Sequence, residues 1–474
     1  MSSTLLELST IIAGAVNSLN KACADSGTTF PGLEVPFSPS SEAFRLNLQA
    51  AEAANIIAAA ATQLAAMVLP PPSAMFSLIS GQFKSAALRI CLEASVTEIL
   101  REGGPQGVHV DEIAKIANVN SEKIARLLRY LATHHVYKEL RPDVFTNTRI
   151  SSMFDTGKSV NEISSNPDKK YDDSDTAGFA ALTGFMLDEV TKGCAYLWEN
   201  ITDPATAHSE EPNHTPFNRG LNWDGSMWAF FNQPEQVARQ HRFGIAMQGM
   251  AALAPADIIL RAFEWTSLPA DSVVVDVGGG IGTASLVLAK SFPGIKFVVQ
   301  DRPPVVKDAE PVWENELPGA VDSGRVVLQA HDFFAHQPVK NASVFIVKHI
   351  IHNWPDAYAS EILMRLREAA QVDTKLVLID NLISFACHDP SDDNGNGIPG
   401  AIPKEAPNPL LANYGIANEM MYNMDLIMLT VCNSQERTVE HVVELLRKSG
   451  WRLTKIVRDS SNSLLQPVEA VPIF

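Results

Sequence analysis

Val273-Val274-Val275-Asp276-Val277-Gly278-Gly279-Gly280-Ile281-Gly282 is the stretch on which the reading of this chain turns. Its β-branched start reads as a buried strand, because such side chains fit a pleated surface. Gly278, Gly280 and Gly282 let the backbone approach a ligand where any Cβ would collide. A helix follows from Thr283, and its N-terminus favours a negative group such as a carboxylate. A second strand, Lys296–Gln300, leads into Asp301, the position from which an acid reaches ribose hydroxyls in open α/β sheets. Nicotinamide enzymes share the logic of a lone glycine turn. The order around this one is more particular: Asp276 precedes the glycines, and His331-Asp332-Phe333-Phe334 follows a third strand region.

Downstream of the turn, short β-branched runs alternate with amphipathic helices, with further strands at Ser343–Lys348 and Lys375–Asp380. That alternation predicts βαβ units and a mostly parallel sheet. Thr438–Ser449 reads as a helix stopped by Gly450, and strands near Arg452–Arg458 and Leu464–Val468 read as an antiparallel C-terminal hairpin. Upstream, Gly178–Glu199 and Glu235–Ala252 are helical patterns separated by polar loops at 155–176 and 201–222. Residues 86–150 carry a helix-turn-helix pattern: Val110-Asp111-Glu112-Ile113-Ala114 opens one helix and Asn118-Val119-Asn120 makes the turn. Ser121 is expected to cap the next helix, which puts Ile124, Leu127, Leu128 and Leu131 on one face, and Val136–Arg149 would form a wing. Residues 1–85 form a helical arm, with Leu5, Leu8, Ile12 and Val16 at helical spacing and a second helix from Ser41 to Leu69 closed by Pro70-Pro71-Pro72. The Ala-rich second helix is expected to be buried, docked on another copy of the chain. The segments are therefore 1–85, a dimerisation arm; 86–150, a winged-helix-like dimerisation domain; 151–265, a helical substrate-pocket region; and 266–474, a Rossmann-like catalytic domain.

Composition narrows the partners. With 474 residues and a formal net charge of −17, the chain lacks the cationic surface that phosphate backbones or anionic membranes require. No nucleic acid and no membrane partner is expected, although a helix-turn-helix can read DNA in principle. Cys23, Cys91, Cys194, Cys387 and Cys432 are scattered and never form a CxxC pair, which fits reduced thiols in the cytoplasm and no metal site. Met1-Ser2-Ser3-Thr4 has no basic signal-peptide region, so the sequons at Asn200, Asn213 and Asn341 read as chance.

Taken together, Asp276–Gly282, Asp301, Asp332-Phe333, Lys348–Trp354 and Glu436-Arg437-Thr438 resemble the plant and fungal O-methyltransferases of the caffeate and sterigmatocystin type, over roughly residues 86–474. The resemblance implies a class I methyltransferase fold binding S-adenosylmethionine (SAM), or S-adenosylhomocysteine, in a homodimer acting on a small molecule. It implies that Asp276, Gly278, Gly280, Gly282 and Asp301 hold the cofactor, with Asp332 and Phe333 at the adenine and Lys348 near the methionine part. His352 matches the general base that takes a proton from a substrate hydroxyl, with Asp380 and Glu436 as the acids that orient its ring. Phe243 and Met247 match residues lining the substrate pocket. Two positions depart from the family pattern: Asn353 stands where Asp usually follows the base, and His349 where Trp usually follows the lysine.

Those departures direct attention to a branch of the same fold. Lys348-His349, the His134-His135 doublet and the long N-terminal arm are similar to the SAM-dependent pericyclases of fungal 2-pyridone alkaloid pathways. That resemblance implies that Lys348 donates a hydrogen bond to a substrate carbonyl, while Met424, His349 and His135 contact the substrate. One oriented donor is worth ~2.7–4 kcal/mol in a transition state. The first expectation is accordingly a cycloaddition or ene-type step, a hetero-Diels–Alder reaction on a polyketide-derived 2-pyridone quinone methide. The alternative is methyl transfer to a phenolic or polyketide hydroxyl with His352 as base, and a third reading is a DNA-binding protein using residues 108–135.

Overall fold

The computed structural model describes residues 3–172, 177–253, 257–390, 397–458 and 465–474. The chain divides into two compact units, 1–200 with 216–253, and 201–215 with 254–474. The 151–265 segment read as one region is shared between them.

In the first unit, helix Thr4–Ser26 packs along helix Leu48–Val68. The contact is built from Leu19, Ala22 and Cys23 on one side and Ala50 and Ala53 on the other, with Phe44 closing it. Small side chains permit the close approach. The second helix begins later than expected, because residues from Pro39 to Leu46 form a 3-10 turn and Asn47 caps the helix through its side-chain oxygen. By length and composition Leu48–Val68 is apolar enough to cross a membrane. It is also less buried than the sequence suggests, since Met67 and Val68 are exposed. Past Pro70 the chain starts a new helix, Pro71–Ile79, because proline suits the first helical turn.

Helices Val96–Gly103, Val110–Ala117 and Ser121–Ala132 follow, with strands β1 (Val108–His109), β2 (Tyr137–Arg141) and β3 (Val144–Asn147) in the order β1-β3-β2. The wing and the turn through Asn118, which is left-handed, stand where the sequence placed them. The cap differs: the Asn120 side chain, not Ser121, accepts the Lys123 N–H. Further on, helices Ala177–Phe185 and Val237–Leu253 pack together where Gly178 and Gly249 meet, a Cβ on Gly249 falling 2.4 Å from the Gly178 carbonyl carbon. The first continues as a π-helical turn, Met186–Val190, which turns Asp188 and Glu189 inward onto Arg239 and Arg242.

The second unit is built on a seven-stranded sheet. Its strands are β4 (Val273–Val277), β5 (Lys296–Asp301), β6 (Val326–Ala330), β7 (Ala342–Lys348), β8 (Lys375–Asp380), β9 (Trp451–Ile456) and β10 (Gln466–Pro472), in the order β6-β5-β4-β7-β8-β10-β9. The first five run parallel, and β10 pairs antiparallel with both β8 and β9. Leu464, assigned to the last strand from sequence, lies outside the described residues. Side chains alternate between two buried faces: Val275, Val277, Phe345 and Leu378 pack with Leu363 and Leu446, while Val274, Phe297, Ile346 and Ile379 pack with Leu288 and Trp313. Both faces are covered, as a parallel sheet requires. From β4 the chain winds outward through β5 and β6, then returns to place β7 on the other side of β4. The crevice at that reversal is where such folds bind ligands.

Candidate active site

Two loops leave the carboxyl edge at this reversal: the glycine turn after β4 and the Lys348-His349 turn after β7. Gly278, Gly280 and Gly282 all have positive φ. At Gly278 a Cβ would lie 2.6 Å from the Ile350 Cδ1, and at Gly282 2.7 Å from the Trp313 Nε1, whose N–H donates to the Ile281 carbonyl. Gly280 differs, because a Cβ there meets nothing within 4 Å. Its N–H donates to Asp301 Oδ2 at 2.8 Å, while Asp301 Oδ1 accepts the Arg302 N–H at 2.7 Å. Each carboxylate oxygen keeps a further lone pair for a ligand hydroxyl. An open glycine, a fixed acid and a helix N-terminus at Thr283 suit a nucleoside bearing an amino-acid tail.

Asp276, expected at the cofactor, lies at the end of β4 next to the glycine turn. Its carboxyl is buried beneath the turn and accepts a 2.7 Å hydrogen bond from Ser285 Oγ, tying β4 to the following helix. Burial raises its proton affinity, with Ser285 and Lys348 acting against that shift. Asp332 is exposed, and its Oδ1 accepts the Phe334 N–H at 3.0 Å, so it shapes the turn that presents Phe333. Phe333 lies near Gly278 and meets Phe334 and Trp354 edge to face.

After β7, Lys348 is half-buried. Burial lowers its proton affinity, and the carboxylates of Asp276 and Asp380 oppose the change. His349 has a left-handed backbone, φ 54°, and its carbonyl accepts from the Asn353 side chain at 2.9 Å. Its ring stacks on His352 with centroids 5.3 Å apart, and burial holds its pKa well below the usual histidine value, with His352 and Lys348 adding to the effect. His352 sits in a 3-10 turn, Ile351–Asn353, and is buried. Its Nδ1 lies 2.9 Å from Glu436 Oε1. A carboxylate can only accept here, so Nδ1 carries the hydrogen and Nε2 keeps a lone pair. Burial alone lowers this imidazole's proton affinity, but the charge and hydrogen bond of Glu436, with Asp380 behind them, outweigh it and the net shift is upward.

Asp380 does not bond the ring. It is buried at the end of β8, and among the described residues no side chain hydrogen-bonds either oxygen, only the His349 main chain acting on it weakly. Desolvation pushes its carboxyl up to about 7. The two acids therefore act differently: Glu436 holds the imidazole by contact, and Asp380 reaches it only through its field. Met424 is half-buried on helix Glu419–Cys432, which packs on the His352 turn.

Three expected substrate residues belong to the first unit. Phe243 is in an aromatic cluster, stacked on Phe231 at 4.7 Å and edge-on to Phe185 and Trp228, with the exposed Met247 one turn further along the same helix. His135 is exposed in a left-handed turn after helix Ser121–Ala132, and its carbonyl accepts from Thr148 Oγ1 at 2.9 Å.

The sequence reading missed several groups around the base. Asn381 donates to Glu436 Oε1 at 3.0 Å, and Asp425 Oδ1 accepts the Glu436 N–H at 2.8 Å. Arg437 bonds the carbonyls of Ile351 and Trp354 and pairs with Asp356, which in turn meets His441. Arg437 was visible in the Glu436-Arg437-Thr438 triplet, but its partners lie more than 80 positions away along the chain.

Residues 198–399 match the O-methyltransferase domain, and 76–157 match the O-methyltransferase dimerisation domain. The chain is 45% identical to 4-O-methyltransferase 1 of Phanerochaete chrysosporium, over 100% of both chains. It is 42% identical to an O-methyltransferase of Armillaria gallica, again over 100% of both. Among solved structures, LepI in complex with SAM has a TM-score of 0.63 at 18% identity, covering 88% of this chain and 93% of that one. A structure described as a pericyclic reaction enzyme has a TM-score of 0.64 at 18% identity, covering 91% and 98%. These two likenesses show the fold.

Proposed function

Because this chain belongs to the O-methyltransferase family, we propose that it methylates a phenolic or polyketide hydroxyl with His352 as general base. The observation that carries the proposal is the buried His352 Nδ1–Glu436 hydrogen bond, which fixes the tautomer and raises the proton affinity of the ring. A base that is oriented and more proton-avid than free imidazole is what deprotonating a phenol needs. When bound, SAM supplies an electrophilic methyl group and leaves as S-adenosylhomocysteine. Asp301, the Gly280 opening, Phe333 and Lys348 would hold it. His352 Nε2 takes the hydroxyl proton as the oxygen gains its methyl, and Glu436 stabilises the imidazolium that results. Met424 and His349 would contact the substrate, and Phe243, Met247 and His135 are carried as substrate residues by the family resemblance alone. We also propose a homodimer formed through the dimerisation domain and the 1–85 arm, resident in the cytoplasm.

A second reading, a SAM-binding pericyclase, is favoured by Lys348, a cationic donor at the end of β7 beside His349. It ranks behind methyl transfer here. A pericyclic step has no use for a base, and a buried carboxylate on a buried imidazole costs desolvation without function. The relative at 45% identity also bears the name of an O-methyltransferase.

The test is transfer of a labelled methyl group from SAM to a panel of phenols by the parent protein and by His352→Gln. Label in a methyl ether, falling ~10²–10⁴-fold in the variant, supports the proposal. Undiminished transfer by His352→Gln would remove the base.

A further inference from the structure

Glu436 and Arg437 are consecutive, and each grips the same short turn. Glu436 holds the His352 ring, while the Arg437 guanidinium holds the main chain on both sides of it. Arg437 Nη1 donates to the Ile351 carbonyl at 2.9 Å, and Nη2 donates to the Trp354 carbonyl at 2.8 Å. Nε completes the fork on Asp356 Oδ1 at 3.0 Å. The arginine is itself anchored, because its carbonyl accepts the Ile383 N–H at 3.0 Å and it bridges in parallel to Leu382 just past β8. Its side chain is 3% exposed, so the cation is desolvated and wholly paired. The carboxyl of Asp356, which neutralises it, is drawn down to about 2 by the His441 hydrogen bond, and Arg437 works in the same direction.

We propose that Arg437 is the positioning residue of the base: a planar fork whose two arms fix the carbonyls of Ile351 and Trp354, so that the His352 ring cannot drift from its place on Glu436. The inference rests on the reading of His352 as base. A short turn between a strand end and the helix beginning at Asp356 has few main-chain partners of its own. The Ile351 carbonyl also accepts the Trp354 N–H at 3.2 Å within the turn, and Arg437 gives that carbonyl and the Trp354 carbonyl a side-chain donor from one residue. A lysine cannot take over, since its single point charge does not span two carbonyls and a carboxylate. Asp356 is the second member of the device, because it holds the fork in plane.

The experiment compares Arg437→Lys, Arg437→Ala, Asp356→Asn and His352→Gln in the full chain. It measures kcat and KM for a methyl acceptor, SAM binding by calorimetry, and melting temperature. Arg437→Lys is expected to keep SAM affinity and KM while kcat falls on the order of 10²-fold, the effect of about 1 Å of misplacement. Asp356→Asn should show the same split more weakly. Guanidinium ion added to Arg437→Ala should restore turnover, and methylammonium should not. Parent-like kcat in Arg437→Lys, with His352→Gln inactive, overturns the clamp alone. Loss of SAM binding together with kcat, with no guanidinium rescue, makes Arg437 a general structural residue and also overturns it. An active His352→Gln overturns both the clamp and the base.

Discussion

Asp380 and the glycines of the cofactor turn show how single residues are committed to the site. The unfolded chain ionises Asp380 near pH ~3.9, whereas the desolvated carboxyl of the folded protein does so at about 7. The folded state therefore binds a proton that the unfolded state has already released. Stability from this group is fully present below the unfolded value and is lost as pH rises to the folded one, by up to ~1.4 kcal/mol per pH unit. Asp380→Asn keeps the shape and cannot ionise. It is expected to raise the melting temperature over the parent at about pH 8 and to change it little near pH 4. A melting difference independent of pH would contradict this. The glycines divide in a similar way. Gly282→Ala puts a Cβ 2.7 Å from the Trp313 ring at φ 84°, so fold and SAM binding should both suffer. Gly280→Ala meets nothing in the protein, and should lower the melting temperature only by the left-handed strain of ~1–2 kcal/mol while abolishing SAM binding. Calorimetry and melting on the two variants separate the effects, and normal SAM affinity in Gly280→Ala would be the contrary result.

Helices and strands were legible in proportion to how local their causes are. Strand β4, the glycine turn and the helix from Thr283 stand as read because β-branching, missing side chains and helix entry are written in adjacent residues. β6 was visible only as a region before His331, since Val326–Ala330 has polar Gln329 and partly exposed positions that weaken the apolar signal. The Asn120 cap was misplaced by one residue, a shift that Asn and Ser side chains allow equally well. The clamp on the His352 turn was illegible, because its donors and acceptors come from separate crossovers of the sheet. So was the packing of Ala177–Phe185 on Val237–Leu253. At that contact the backbones of Gly178 and Gly249 leave no room for a Cβ. Gly249→Val is therefore expected to cost a few kcal/mol, as overpacking against backbone does (~1–3), seen as an earlier urea midpoint. An unchanged midpoint would mean that the two helices part without cost.

The whole chain pairs a methyltransferase-fold sheet with a dimerisation domain, and it leaves an apolar face where the N-terminal arm runs into that domain. Met75, Phe76, Leu78, Ile79 and Phe83 are all more than half exposed, a run that a soluble chain rarely leaves to water. Deleting residues 1–69, which flank that face, is expected to give monomeric or insoluble protein. Sedimentation showing an active dimer without them would contradict the assembly. The −17 charge and the full-length likeness to fungal O-methyltransferases fit an enzyme acting on a small molecule rather than a reader of DNA. Methyl transfer is tested by the mass and stoichiometry of one reaction. Purified protein, SAM and a phenolic acceptor are incubated, and product and cofactor are quantified together. A product bearing one added methyl group is expected, with S-adenosylhomocysteine formed one for one. A product of unchanged mass, or of that mass less one water, with SAM intact over many turnovers, would contradict it.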